Sequence, residues 1–195
     1  MPSGLLIGLA SLLVSVLLWS LLTGRWSAES RRARKLQAET VHIHPLMHVP
    51  VPWVFVLVYL AGLGLQLLVP IDVRAVIAPG ISGLVGFVLL GIGLVVAFSA
   101  LGIFRKRSTT TVPFETPSTL VTWGPYRLSR NPMYLGLTLV YLGVAGTRVE
   151  IWPLIVLPLL LAYINSVVIP VEERRLHDVF GDAYRQYCAT VRRWL

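Results

Sequence analysis

Between Gly124 and Gly136 the chain reads Gly-Pro-Tyr-Arg-Leu-Ser-Arg-Asn-Pro-Met-Tyr-Leu-Gly, which sets cations, hydroxyls and an amide among apolar anchors. Arg127 and Arg130 are donors suited to a carboxylate or phosphate. Gly124-Pro125 reads as a turn, and Asn131-Pro132 as a helix start in which Asn131 caps and Pro132 takes the first helical position. The free amides and positive dipole end of that helix would face the same loop, where an anion or a ring-nitrogen acceptor fits. About forty residues on, Glu172 and Glu173 stand together. A partly desolvated carboxylate beside a cation suits a positively charged ligand. Each group also has a plainer reading. The arginines can contact lipid phosphates while Tyr126 and Tyr134 join an aromatic belt, and the glutamates can pair with Arg174 or Arg175.

The elements that must position these groups belong to a membrane protein. Of 195 residues 55% are hydrophobic and only 13% charged, about half the charged share of a soluble domain. Apolar blocks run from about Leu5 to Leu22, Val51 to Val69, Ile81 to Phe104, Pro132 to Gly146 and Ile151 to Ile169. A crossing takes roughly 20 residues, so five spans are expected in an all-α polytopic bundle, the fourth the shortest. The short Thr147 to Glu150 connection makes the last two an antiparallel hairpin, which returns Glu172 and Glu173 to the start of the fourth span. Glycines 80, 83, 86, 91, 93, 136, 143 and 146 lie in or beside spans three and four, where small residues permit close helix contact. Gly91-Ile92-Gly93 is no nucleotide loop, because it sits in mid-span with no strand before it.

The formal charge of +8 does not form one basic domain. All basic residues except Arg74 and Arg148 lie in the loop after span one, the loop after span three, or the tail, all on one side of a five-span bundle. The positive-inside rule makes that side cytoplasmic and the N-terminus external, with anionic lipid rather than nucleic acid as the partner. Met1 opens an apolar run without a basic n-region, read as a retained span. Cys188 is the only cysteine, so no intrachain disulfide or thiolate metal site forms. His42, His44 and His48 have no nearby thiolate and read as interfacial residues, with no metal site assigned. After Pro170 the composition turns polar, and Leu176, Val179, Phe180, Tyr184, Tyr187, Val191 and Trp194 recur at helical steps. They predict an amphipathic cytoplasmic segment broken at Gly181, with Asp182 capping its second piece. His177 falls on its polar side.

The string Gly-Pro-Tyr-Arg-x-x-Arg-Asn-Pro-x-Tyr-x-Gly, a hydrophobic hairpin, Glu-Glu-x-x-Leu, and then Phe-Gly-x-x-Tyr-x-x-Tyr-x-x-x-Val-x-Arg-Trp resembles the signature of the isoprenylcysteine carboxyl methyltransferase and phospholipid methyltransferase family. The resemblance covers roughly Thr109 to Leu195. The apolar blocks make residues 1–104 three N-terminal spans, and the resemblance implies 105–195 as the cofactor-binding region. It further implies S-adenosylmethionine contacts at Tyr126, Arg127, Arg130, Asn131, Pro132, Tyr134 and Glu173. Arg127, Glu172 and Arg193 are then the expected catalytic set, with Glu172 and Arg193 at the substrate end. Isoprenylcysteine enzymes have His where this chain has Asn131, which cannot titrate near neutrality, so no general base is expected there. The implied reaction is methyl transfer to a lipophilic acceptor arriving from the bilayer: an isoprenylcysteine-like carboxylate, a phospholipid amine or a small lipid. The arginine-rich, lysine-poor composition points to a bacterial inner membrane.

Two other functions stay open. Sterol-type reductases share an Asn-Pro-x-Tyr segment and aromatic tail, but pair them with His-Arg-x-x-Arg-Asp-Glu, where this chain has Ile169-Pro170-Val171-Glu172-Glu173-Arg174-Arg175. A non-enzymatic scaffold would keep the motif as structure alone.

Overall fold

A computed structural model describes residues 50–71, 79–106 and 119–195, which are helical with no strand among them. The first expected span, the basic loop that follows it, His42, His44 and His48 lie outside the described residues. Helix α1 is Val51–Leu68, α2 is Pro79–Lys106 and α3 is Pro132–Arg148; α4, Ile151–Tyr163, runs through a π-helical segment, Ile164–Val168, into α5, Ile169–Thr190. Three described helices are long and apolar enough to cross a membrane: Val51–Leu68, Gly80–Ile103 and Ile151–Phe180. With 17 residues, α3 extends about 25 Å, short of a full crossing.

Glycine decides how α2 meets α3. A Cβ on Gly86 would stand 2.8 Å from the Gly143 carbonyl, and one on Gly143 would stand 2.6 Å from the Leu90 nitrogen. Further along the pair, a Cβ on Gly93 would lie 2.8 Å from the Gly136 carbonyl, and one on Gly136 2.7 Å from the Ala97 nitrogen. The two antiparallel backbones therefore touch along a seam whose glycines repeat every seven residues on each helix. Where burial of apolar surface gives little net drive, this close van der Waals approach holds the pair. Gly80, Gly83 and Gly91 face open space, so only part of the expected glycine set makes the contact.

Helix α1 packs along α4, Gly62 coming against Pro153. Between the two helix pairs lies the core: Phe55, Tyr59 and Leu63 of α1, Tyr141 and Val144 of α3, and Leu157, Leu160 and Ile164 of the long helix. The Tyr141 ring meets Tyr59 edge-on at 5.1 Å between centroids, and its hydroxyl donates to the Pro153 carbonyl. The hairpin is tighter than expected. Only Val149 and Glu150 connect α3 to α4, with Val149 in the left-handed region at φ 56°. Glu150 is buried, accepting from Tyr59 and Arg148.

The chain does not break at Pro170. Proline lacks an N–H and crowds the carbonyl four residues back, which would end a regular α-helix. Here the preceding turn widens to π geometry, in which the Ile169 N–H reaches the Ile164 carbonyl, and the helix continues. The break comes at Gly181, at φ 51° and ψ −120°. Helix ends at Thr190 with Val191 extended, so Val191 and Trp194 leave the helical stripe.

Candidate functional site

The loop before α3 folds as a single 3-10 turn, Gly124–Arg127, entered through Gly124 at φ 63°. Its Tyr126 is buried with Ala100, Ile103 and Val121. Burial raises the Tyr126 phenol well above its ordinary pKa, with Tyr187 and Glu172 adding to the effect. The Tyr187 hydroxyl donates to the Tyr126 carbonyl at 2.7 Å, and burial pushes this second phenol up to about 12. Both tyrosines are therefore neutral at physiological pH, and Tyr187 pins the tail to the loop.

The hairpin closes as its short connection requires. The Tyr134 hydroxyl, in the first turn of α3, donates to Glu172 Oε1 at 2.6 Å. Arg130 reaches Glu173 Oε1 at 3.0 Å, and Arg193 closes on both Glu173 oxygens in a bidentate pair. Hydrogen bonding to Glu173 holds the Arg193 guanidinium above its usual pKa. Glu173 therefore pairs across the fold with Arg130 and Arg193, where the plainer reading put its partner in the adjacent Arg174 or Arg175.

The backbone of the last residues completes the assembly. The Arg130 N–H donates to the Arg192 carbonyl at 3.0 Å, and the Arg193 carbonyl accepts from Ser129 Oγ and from Asn131 Nδ2 at 3.2 and 3.0 Å. Asn131 occupies the N-cap position and Pro132 follows it at the helix start, but the Asn131 side chain makes no cap hydrogen bond. Its amide is committed to the tail instead. Pro132 is buried beneath the loop.

Seven of the expected residues, Tyr126, Arg130, Asn131, Tyr134, Glu172, Glu173 and Arg193, thus form one connected cluster, with Pro132 under it. Arg127 stands apart: it is exposed beside exposed Leu128 and makes no ion pair among the described residues. Two residues of the cluster escaped sequence reasoning. Ser129, with no exposure at all, both donates to the tail and accepts from the Asn131 N–H. Asn165, in the π segment, accepts from Arg193 Nη1 and from the Trp194 indole N–H. A lone amide in an apolar run was the available signal.

The donors and acceptors gathered here are of both signs. Arg130 Nε is buried with no hydrogen-bond partner, so the cluster holds an unused donor for an anionic group. Glu172 has one oxygen occupied by Tyr134, which leaves it acceptor capacity for a cation.

Compared with protein-family models, residues 81–183 match the phospholipid methyltransferase family, just over half of the chain. The chain belongs to the phospholipid methyltransferase family. The matched stretch contains most of α2, the 3-10 turn, α3, the hairpin and both glutamates, so the family's region coincides with the part that builds the cluster. Comparison with curated proteins and with solved structures gave no match. Membership makes this a membrane methyltransferase acting on lipid-related substrates. The tail from Tyr184 to Trp194 lies beyond the matched residues, yet it supplies Arg193 and the clamp on the loop.

Proposed function

We propose that the chain transfers a methyl group from S-adenosylmethionine to a lipophilic acceptor at the cytoplasmic face of a bacterial inner membrane, the amine of a phospholipid headgroup being the first choice. The observation that carries this reading is the Tyr134–Glu172 hydrogen bond, which joins the two halves of a motif separated by a helical hairpin. The residues present fit the cofactor. Arg130, with its unused buried Nε, and the start of α3 suit a carboxylate, while Glu172 and the faces of Tyr126 and Tyr134 suit cationic groups.

S-adenosylmethionine, when bound, supplies a methyl already activated on a sulfonium. The chain's own work is then positioning and the exclusion of water. Arg130, Glu173 and Arg193 fix the tail over the loop, and Tyr126 closes the floor with a neutral ring. Tyr134 orients the Glu172 carboxylate. An amine acceptor must lose a proton before it can attack, and Glu172 is the carboxylate proposed to take it. A carboxylate acceptor would need no such step.

Full-length protein in phospholipid nanodiscs, supplied with methyl-labelled S-adenosylmethionine, tests the reading. Label is expected in a lipid one methylene heavier. Tight NADPH binding with no S-adenosylmethionine binding in calorimetry would instead favour a reductase, and binding of neither would favour a scaffold.

A further inference from the structure

Asn165 occupies an unusual place for an amide. It lies about 21 Å along the helix from Ile151, inside the apolar stretch, and its side chain is exposed on the bundle surface. Neighbouring Ser166 satisfies its hydroxyl on the Ala162 carbonyl. Asn165 does not fold back on its own helix. Its Oδ1 accepts from Arg193 Nη1 at 3.3 Å and from Trp194 Nε1 at 3.2 Å. Arginine and tryptophan only donate, so the oxygen must face them and the amide nitrogen must face away. That nitrogen donates to no group among the described residues.

The hydrogen-bond inventory then specifies a ligand. Arg193 has five N–H groups; three go to Glu173 and Asn165. What these two side chains have left is donors alone: two N–H groups of Arg193 and two of Asn165. Charge agrees with this, since the Arg130–Glu173–Arg193 bridge joins two cations to one anion. An uncommitted donor in hydrocarbon is costly, and the group that satisfies it must be an acceptor reaching the bundle from the bilayer. Asn165 lies within the π turn that carries the chain past Pro170, and such turns recur at functional sites.

We propose that Asn165 and Arg193 form a docking site for the phosphodiester oxygens of a membrane phospholipid, at the lateral edge of the cluster, with Trp194 holding the Asn165 amide in orientation. Asn165 is then a specificity-determining residue that selects acceptors carrying a phosphate. This deepens the methyl-transfer reading and rests on it for the chemistry after docking, but the docking itself is measurable without turnover.

The decisive variant is Asn165→Asp. It keeps the oxygen that receives Arg193 and Trp194, so a purely structural role would be preserved. It removes both outward N–H groups and adds a charge that repels phosphate. Native mass spectrometry of the full-length protein, released from detergent with phosphatidylethanolamine or with diacylglycerol, is expected to show a retained phospholipid on the wild type. At least tenfold less is expected on Asn165→Asp, with no such difference for diacylglycerol. Soluble glycerophosphoethanolamine is expected not to displace the lipid at millimolar concentration; displacement would mean that a free phosphate ester, not a membrane lipid, is the ligand. In the transfer assay, Asn165→Asp and Asn165→Leu are expected to raise the apparent KM for lipid about tenfold and leave the KM for S-adenosylmethionine unchanged. Equal retention and equal lipid KM in wild type and Asn165→Asp would overturn the site. Selective retention without any methyl transfer would leave the site standing and remove the methyl-transfer reading.

Discussion

The Tyr134 hydroxyl lies 2.6 Å from Glu172 Oε1, and this contact fixes the first turn of α3 against the point where the long helix becomes polar. Hydrogen bonds to a charged group are worth about 1.5–3 kcal/mol. If Tyr134 orients the carboxylate for reaction, Tyr134→Phe is expected to lower kcat by roughly ten- to a hundredfold, since about 1.4 kcal/mol is tenfold. Glu172→Gln, which removes the charge itself, is expected to cost more. Stopped-time assays at saturating cofactor check both, and a Tyr134→Phe enzyme with wild-type kcat would remove Tyr134 from the mechanism.

Glu173 has a different task. It bridges Arg130 and Arg193 with 20% of its side chain exposed, while Arg193 is 33% exposed. Removing one partner of a fully buried pair costs about 3–5 kcal/mol; the partial exposure here brings the expectation nearer ~2 kcal/mol. Glu173→Gln should therefore loosen the tail before it unfolds the bundle. The Arg130 amide, which donates to the Arg192 carbonyl, is the natural reporter. Its hydrogen exchange is expected to accelerate about thirtyfold, with amides of the α2–α3 seam unchanged.

Much of this architecture is legible in the residues. The Val51 to Val69 block becomes Val51–Leu68, and the hairpin and the broken tail follow from short connections and from Gly181. The two-part motif also meets as its spacing requires. What resists reading is set by three-dimensional register. Periodicity cannot show that a π turn absorbs Pro170, because the polar change there mimics a chain end. Asn131 has the identity of a cap, but the Arg193 carbonyl, distant in sequence, takes its amide. Arg127 and Arg130 are alike in type and three residues apart, yet only Arg130 turns inward to Glu173.

Glycine position, rather than glycine content, is expected to govern stability of the α2–α3 pair. Gly143→Val would drive its side chain into the Leu90 backbone, and that backbone cannot swing aside as a side chain can. Overpacking commonly costs about 1–3 kcal/mol, occasionally more, and this site belongs at the upper end. Gly91→Ala meets open space and gains up to about 1 kcal/mol of helix propensity. Thermal unfolding in detergent should place the two variants on opposite sides of the wild type. A Gly143→Val protein as stable as Gly91→Ala would contradict the seam.

The far end of the hairpin offers a control on the near end. Tyr59 donates to Glu150 Oε2 at 2.6 Å, and Arg148 Nε reaches Oε1 at the same distance. Tyr59 is 1% exposed and Glu150 8%, so Tyr59→Phe leaves one buried carboxylate oxygen without its donor. Such a loss costs about 1–3 kcal/mol, with almost no change in volume to confuse it. Yet Arg148 lies about 21 Å along α3 from Tyr134. The expected outcome is a lower unfolding temperature with unchanged KM for cofactor and lipid and unchanged kcat. If kcat fell in parallel with stability, the two ends would be coupled through α3, and the cluster around Glu172 and Glu173 would not be the self-contained unit its contacts indicate.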